Sequence, residues 1–220
     1  MNSPTQKFSD FRLLAMDMDS TLITIECIDE IADFVGKKAE VAAITAAAMR
    51  GEIDWPTSLR QRVGLLAGLD ESILGRVYTE RLQLSPGAIE LIAAADAMGI
   101  YTLLVSGGFT YFTERLKARL GLDAAYSNQL QIIDGKLTGE VVGPLCDAYA
   151  KARHVRETAE KIGAARGEIM AIGDGANDLL MLAEAGTSIA YRAKPVVQAQ
   201  ATHAINDGGL DAVLSMFRSS

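Results

Sequence analysis

Three short apolar runs, each ending in a cluster of small and polar residues, place the strongest constraint on the fold of this chain. Helical stretches follow the second and third runs, and the alternation of short apolar strands with helices is typical of a parallel sheet covered on both faces. We therefore predict an α/β fold, a doubly wound parallel sheet of Rossmann type that binds ligands beyond the carboxyl ends of its strands. The runs, each with its terminal cluster, are Arg12–Met16 with Asp17-Met18-Asp19, Gly99–Val105 with Ser106-Gly107-Gly108, and Glu168–Ile172 with Gly173-Asp174-Gly175.

The remaining core elements are predicted from the same kinds of pattern. Helices are expected at Phe109–Leu120 and Asn177–Ala185, and further strands at Thr187–Tyr191 and His203–Ile205. The sequence Leu130–Val142 reads as a β-hairpin turning at Asp134-Gly135, because Asp-Gly favours a two-residue turn. We interpret this hairpin as a small insert.

Residues 26–83 interrupt the alternation, because apolar residues there recur at helical spacing with no strand between them. Four helices are expected, the third beginning with Asp54 as N-cap and Pro56 in its first turn, and the fourth near Glu71–Arg81. We predict a helical cap at 26–83, inserted into a core formed by 1–25 and 84–220.

Composition excludes several classes of protein. The net charge is −7, with 21 Lys and Arg against 28 Asp and Glu, which argues against a nucleic-acid binder or an anionic-membrane binder. Two cysteines without a C-x-x-C motif exclude a zinc knuckle or a disulfide scaffold, and the apolar runs are too short to span a membrane. The polar start, Met1–Asp10, lacks a signal segment. We expect a cytoplasmic protein, and the sequence leaves a homodimer open.

Asp17 and Asp19 follow the first predicted strand. Because side chains alternate along an extended chain, both carboxylates can face one side while Met18 faces away. Two close carboxylates repel each other, which raises the pKa of one of them. Such a pair suits a nucleophile beside a general acid/base; two aspartates of a surface loop are the alternative.

The other two clusters indicate phosphate and metal. Ser106-Gly107-Gly108 offers a hydroxyl and backbone N–H groups ahead of a predicted helix, where anions are favoured, although a plain strand-to-helix turn has the same composition. The loop 173–178, GDGAND, resembles an acidic metal loop but is too short for an EF-hand. Its oxygen ligands suit Mg²⁺, which binds through one or two carboxylates plus a substrate phosphate.

Taken together and in order, D-x-D-x-T, S-G-G, a lysine and G-D-G-x-N-D resemble the haloacid dehalogenase (HAD) superfamily. The segments DMDSTLITIECIDEIA, VSGGF, IGDGANDLLML and IAYRAKP closely resemble its phosphoserine-hydrolysing members, from Leu14 to about Leu214. The resemblance implies a HAD-like core with a cap and a Mg²⁺ cofactor. It also implies hydrolysis of the small molecule O-phosphoserine through an aspartyl-phosphate, as in serine biosynthesis. We expect no regulatory domain before the first motif.

By this resemblance, Asp17 is the nucleophile, and Asp19 protonates the leaving serine oxygen and then deprotonates the attacking water. Mg²⁺ is held by Asp17, the backbone carbonyl of Asp19 and Asp174, and Asp178 supports the metal shell. A cation between the nucleophile and the phosphate reduces the repulsion between two anions.

The resemblance also assigns the phosphate contacts. Ser106 and the N–H of Gly107 hold the phosphoryl oxygens, and Asn177 hydrogen-bonds near the substrate phosphate or carboxylate. A lysine between the second and last motifs neutralises charge on the nucleophile and the phosphate. Lys151 fits this role best because it lies near the start of a helix; a solvated helix lysine is the alternative. The lysines between the second and last motifs are Lys117, Lys136, Lys151 and Lys161.

Substrate recognition is expected in the cap. Arg62 lies on the apolar stripe of the third helix, whereas Arg60 lies on the opposite face. A guanidinium there needs a partner, which is the substrate carboxylate or, alternatively, an internal acidic residue. Glu26 is expected to pair with the substrate ammonium, or else simply to favour a helix N-terminus. Met49 and Trp55 supply apolar walls, or pack within the cap.

Three other functions remain open at this point. A phosphotransferase passing phosphate to an alcohol such as homoserine would use the same residues, and so would a phosphatase of another small metabolite. A phospho-accepting receiver domain also uses aspartates, Mg²⁺ and a lysine, but it lacks a long helical insert and carries its phospho-aspartate on a later strand.

Overall fold

A computed structural model describes residues 6–217 as a seven-stranded sheet with helices on both faces. The strand order is β4-β3-β2-β1-β5-β6-β7, and every pair is parallel except β3 with β4. The predicted α/β fold with a doubly wound parallel sheet is confirmed. The strands are β1 (Leu13–Met16), β2 (Tyr101–Phe109), β3 (Ala124–Ile133), β4 (Lys136–Val142), β5 (Ile169–Gly173), β6 (Thr187–Tyr191) and β7 (His203–Ile205).

Ten α-helices accompany these strands within residues 6–217, and none has the length and apolar character that a membrane crossing requires. Residues 1–5, half of the polar start noted in the sequence, lie outside the described part. The helices are α1 (Cys27–Phe34), α2 (Lys38–Met49), α3 (Trp55–Gly64), α4 (Ser72–Arg76), α5 (Ala88–Ala97), α6 (Thr110–Leu120), α7 (Ala148–Ile162), α8 (Leu179–Glu184), α9 (Pro195–Gln198) and α10 (Ala212–Met216).

Strand β1 lies at the centre and is buried on both faces. Leu13 and Ala15 pack with residues of α7 and α8, whereas Leu14 and Met16 pack with residues of α5, α6 and α10. Fully burying a Leu side chain contributes about 1.5–3 kcal/mol, which explains why four residues suffice for this strand. The neighbours β2 and β5 lie on opposite sides of β1, so the sheet opens a crevice at the carboxyl end of β1.

The four predicted helices of residues 26–83 are confirmed as α1 to α4. Asp54 caps α3 by accepting a hydrogen bond from the Thr57 N–H at 2.7 Å, and Pro56 lies in the first turn. The fourth helix is shorter than predicted, because α4 passes into a wider π-helical turn at Val77–Arg81. The apolar residues Ile73, Leu74 and Val77 of this region pack in the same hydrophobic cluster as Leu14 and Met16 of β1. The division into cap and core domains stays a prediction.

The link between α3 and α4 is hydrogen-bonded to the outer strand of the sheet. The Gly68 N–H donates to the Leu137 carbonyl and the Leu137 N–H donates to the Leu69 carbonyl, both at 2.8 Å, and the Glu71 N–H donates to the Gly135 carbonyl at 2.9 Å. These bonds pair an otherwise open sheet edge. They also fix one end of residues 26–83, called the helical segment below, to β4.

Two sequence predictions need correction, one at β3 and one at β2. The hairpin is not a separate insert, since β3 begins at Ala124 and pairs with β2 before it pairs with β4. The sequence Ala124–Asn128 lacks the β-branched and aromatic run that marks a strand, and pairing with β2 stabilises it instead. The strand predicted at Gly99 begins at Tyr101.

Two helix starts also differ from expectation. Strand β2 continues through the Ser106-Gly107-Gly108 cluster to Phe109, and α6 begins only at Thr110. The cluster precedes a helix, as predicted, but it lies within the strand. The helix predicted at Asn177 opens as a 3₁₀ turn, Ala176–Asp178, before α8.

Candidate active site

The carboxyl ends of three central strands meet beneath the helical segment and form a pocket of about 540 Å³. Asp17 follows β1, Ser106 lies near the end of β2 and Asp174 follows β5. The structure brings together nearly all side chains predicted to touch substrate or metal. Those lining the pocket are Asp17, Asp19, Glu26, Met49, Trp55, Arg62, Ser106, Gly107, Asp174 and Asn177.

Beneath the pocket floor, Lys151 joins two carboxylates. Its Nζ lies 2.6 Å from Oδ1 of Asp17 and 2.7 Å from Oδ1 of Asp178, and its side chain is 1% exposed. Burial alone would lower the pKa of the Lys151 ammonium, but the two carboxylates outweigh burial and raise it. Burial and the charge of Asp178 raise the pKa of Asp17, whereas Lys151 lowers it. Lys151 is therefore a fixed positive charge at the nucleophile candidate.

A group of carboxylates beside this lysine could hold a metal ion. One oxygen each from Asp17, Asp174 and Asp178 lies within 4.8 Å of the others. The Thr21 hydroxyl donates to Oδ1 of Asp174 at 3.1 Å, and burial followed by the charge of Asp178 raises the pKa of Asp174 to about 7. Crowded hard oxygen ligands of this kind fit a divalent cation such as Mg²⁺.

Asp178 has both carboxylate oxygens engaged by the protein. Oδ1 accepts from Lys151, and Oδ2 accepts from the backbone N–H groups of Asp174 at 3.1 Å and Gly175 at 2.9 Å. The Asn177 side chain lies against the same carboxylate, with Nδ2 3.4 Å from Oδ1. Asp178 thus holds the acidic loop in place, while Asp17 and Asp174 face the pocket.

Asp19 lies in a tight turn after β1, where Ser20 has a left-handed backbone with φ +56°. Oδ1 of Asp19 accepts from the Cys27 N–H at 3.3 Å. Burial followed by the charge of Glu26 raises the pKa of Asp19 to about 8. The prediction that repulsion between Asp17 and Asp19 raises the pKa of one of them was wrong in its cause, because burial is the largest cause of the raised pKa at both residues.

The Ser106-Gly107-Gly108 cluster passes close to Asp19 on one side of the pocket and to Trp55 on the other. A Cβ on Gly108 would lie 2.9 Å from Oδ2 of Asp19, and a Cβ on Gly107 would lie 3.0 Å from the indole of Trp55. A larger residue at either position would press against these side chains, so the two glycines let the strand pass close under the helical segment.

The helical segment contributes two charged side chains, Arg62 and Glu26, that do not form ion pairs within residues 6–217 like those of Lys151. Nε of Arg62 lies 3.3 Å from the Ser58 carbonyl, and no carboxylate of residues 6–217 lies within 4.0 Å of its guanidinium. Arg60 is exposed, as predicted. Glu26 accepts from the Ser20 hydroxyl at 2.6 Å. The internal salt bridge considered for Arg62 is thus not formed.

Two charged pocket residues escaped the sequence analysis. Asp29 lies one helical turn after Glu26, and the three-residue spacing could have found it. Lys194 follows β6 at the pocket rim, with Nζ 3.7 Å from the Met49 sulfur. The same strand-end rule that selected Asp17 and Asp174 would have selected Lys194.

A parallel sheet with a lysine-paired aspartate after its first strand and an acidic loop after β5 defines a class of hydrolase. The family model for haloacid dehalogenase-like hydrolases matches residues 14–183, and the chain belongs to this family.

Several relatives of the chain are phosphoserine phosphatases by name. The chain is 54% identical over 221 aligned positions to a phosphoserine phosphatase of Albidiferax ferrireducens, covering 98% of this chain and 93% of the relative. It is 53% identical to that of a Polaromonas species, with 98% and 94% covered. A substrate-bound phosphoserine phosphatase complex superposes with a TM-score of 0.87 at 36% identity, with 98% and 100% covered. A phospho-aspartyl intermediate analogue gives 0.88 at 38%, with 94% and 99% covered.

Proposed function

We propose that this chain is a Mg²⁺-dependent phosphoserine phosphatase, which hydrolyses O-phosphoserine to serine and phosphate through an aspartyl-phosphate on Asp17. Curated relatives of that name match nearly the full length of the chain. The observation that carries the proposal is the pairing of Asp17 with buried Lys151 at the floor of the pocket. On the pocket wall, Arg62 has no carboxylate partner among residues 6–217.

The reaction follows from two carboxylates with different surroundings. A carboxylate oxygen of Asp17 attacks the phosphorus, and the bond from phosphorus to the serine oxygen breaks as Asp19 gives that oxygen a proton. Asp19 then takes a proton from water, whose oxygen attacks the phosphorus and releases Asp17. The charge of Lys151 stabilises the ionised form of Asp17 and the incoming phosphoryl group.

The metal ligands proposed are Asp17, the backbone carbonyl of Asp19 and Asp174, with Asp178 holding the loop of Asp174. When bound, Mg²⁺ supplies positive charge that neutralises the phosphoryl oxygens and orients the displacement. The oxygen-only donor set supports Mg²⁺ over softer metals. Dialysis against EDTA should abolish activity and added Mg²⁺ should restore it; full activity in the dialysed sample would refute the metal requirement.

Substrate contacts are proposed on both walls. Ser106, the Gly107 N–H and Asn177 hold the phosphoryl group from the sheet edge. Arg62 binds the carboxylate of serine and Glu26 binds its ammonium, a charge-assisted arrangement specific for an amino acid. These two lie beside the apolar side chains of Met49 and Trp55, which we propose as the walls.

The experiment that tests this function is a turnover screen with Mg²⁺ over phosphoserine, phosphothreonine, phosphohomoserine and sugar phosphates. We expect phosphoserine to give the highest kcat/KM. If a sugar phosphate gives the highest kcat/KM, the proposal that phosphoserine is the substrate is refuted. Faster consumption of phosphoserine on addition of homoserine, with less free phosphate, would identify a phosphotransferase. If each protein molecule consumes only one molecule of phosphate ester, the chain is a receiver domain.

The cytoplasmic location, the place in serine biosynthesis and the homodimer stay predictions.

A further inference from the structure

The pairing of β2 with β3 is interrupted beside the pocket. Val105 pairs with Tyr126, and the next registered pair is Phe109 with Asn128, so three residues of β2 stand opposite one residue of β3. Extra residues in one strand leave backbone groups outside the hydrogen-bond ladder. The half-buried Gly107 lies in this gap, and its carbonyl accepts from a side-chain donor in place of a ladder partner.

Asn128 supplies that donor from β3. Its Nδ2 donates to the Gly107 carbonyl at 2.8 Å, and its Oδ1 accepts from the Cys146 N–H at 2.8 Å. The residue is 1% exposed. A buried amide bonded at both ends is held in one orientation, and it fixes the groups that it binds.

The bond to Gly107 reaches the pocket through a single peptide group. The Gly107 carbonyl and the Gly108 N–H belong to the same planar peptide, and the Gly108 N–H donates to Oγ of Ser106 at 2.9 Å. Since the Ser106 oxygen accepts this bond, its own proton remains available. No acceptor within residues 6–217 takes that proton, and Ser106 lines the pocket.

We propose that Asn128 is a positioning residue for phosphoryl transfer, which turns the Ser106 hydroxyl into a directed donor toward a phosphoryl oxygen by fixing the Gly107–Gly108 peptide. The inference rests on the proposed function of the pocket. The other end of the same amide holds Cys146, one residue before Asp147, the N-cap of α7. Asn128 therefore ties the phosphate-binding turn to the helix that carries Lys151.

A double-mutant cycle between Asn128 and Ser106 tests this chain of contacts. Asn128→Asp keeps an acceptor for Cys146 but removes the donor to Gly107. We expect Ser106→Ala to lower kcat/KM by about tenfold or more, because it removes a hydrogen bond aimed at a charged group. Asn128→Asp should cause a similar loss, because it frees the Gly107–Gly108 peptide and leaves the Ser106 hydroxyl undirected. In the Ser106→Ala background, Asn128→Asp should add little.

Thr102→Val is the matched control. It removes a side-chain hydrogen bond from Thr102 in β2 to Asp123, the residue before β3, at 2.9 Å and away from the pocket. We expect Thr102→Val to lower the Tm while kcat/KM stays within about twofold and combines independently with Ser106→Ala.

The outcomes separate the inference from the proposed function. If the wild-type enzyme turns over neither phosphoserine nor an aryl phosphate, the proposed function fails. If it is active but the losses from Asn128→Asp and Ser106→Ala multiply fully, the two residues act independently and the positioning role is overturned.

A measurement on the unaltered enzyme decides the case if Asn128→Asp does not fold. With Mg²⁺ present, inorganic phosphate is titrated while the NMR signals of the Asn128 side-chain amide and the Gly108 N–H are followed. We expect both to shift with one midpoint. A shift at Gly108 with no change at Asn128, or no shift at either, would overturn the inference.

Discussion

Charged side chains at the floor of the pocket are paired with one another, whereas Arg62 on its helical wall has no carboxylate partner among residues 6–217. On the floor, Lys151 contacts Asp17 and Asp178 at 2.6 and 2.7 Å, and all three are buried. On the wall, Arg62 has no carboxylate within 4.0 Å among residues 6–217, and Glu26 is exposed. The floor is organised before substrate arrives, whereas the wall keeps its charges available. Transition-state stabilisation requires the first arrangement, and recognition of a charged substrate uses the second.

Replacing Asp17, the proposed nucleophile, is expected to have the largest effect. Asp17→Asn should lower turnover of phosphoserine by at least about 10⁴-fold, since loss of a nucleophile removes the covalent route. The fold should persist. Turnover is measured on a sample that mass spectrometry shows has not deamidated, with exposed Asp96→Asn as the control. Normal turnover by Asp17→Asn would refute the covalent mechanism.

Asp19→Asn should lower turnover by about 10²–10⁴-fold, the usual contribution of general acid–base catalysis. The loss should be smaller for an aryl phosphate, whose phenolate leaves without a proton. The comparison uses kcat for both substrates. Equal losses would argue against Asp19 as the acid.

Lys151→Met tests whether the floor charges also stabilise the fold. Removing one partner of a buried ion pair typically costs about 3–5 kcal/mol, so the free energy of unfolding in urea should fall by that order. Lys161→Met, at an exposed position of the same helix, should change it by less than about 0.5 kcal/mol. An unchanged stability for Lys151→Met would show that the floor is not built as the distances indicate.

Arg62→Ala should have the smallest effect and a different signature. A charge-assisted hydrogen bond contributes roughly 1.5–3 kcal/mol, so kcat/KM for phosphoserine should fall by about tenfold or more. An aryl phosphate without a carboxylate should lose much less, and the free energy of unfolding should barely change.

Arg60→Ala, on the opposite face of α3, serves as the control for Arg62→Ala and should alter neither substrate. If Arg62→Ala lowers turnover of phosphoserine and of the aryl phosphate equally, Arg62 stabilises the helical segment and does not bind the substrate carboxylate.

The floor was largely predictable from the sequence because parallel strands end at a common edge. Asp17 and Asp174 follow short apolar runs, and their meeting follows from topology alone. Lys151 could be chosen over other lysines only through resemblance, since its partners lie 134 and 27 residues away in the chain. No local pattern marks it as buried.

The turn at Ser106 was only partly predictable. The sequence predicted it as a turn just before a helix, and α6 does begin at Thr110, but the cluster itself lies in an interrupted strand pair. That interruption depends on the register between β2 and β3, and the early part of β3 has no strand pattern of its own. Asn128 was missed for the same reason, since its importance comes from contacts with Gly107 and Cys146 and not from its neighbours in sequence.

Trapping the covalent intermediate tests the central claim most directly. The wild-type enzyme is mixed with phosphoserine labelled in the phosphate and Mg²⁺, quenched in acid within milliseconds, and mapped by peptide mass spectrometry. We predict a phosphoryl group on Asp17 that appears before free phosphate and decays at the rate of turnover. Label on another residue, or phosphate release with no labelled protein at any time, would contradict the account.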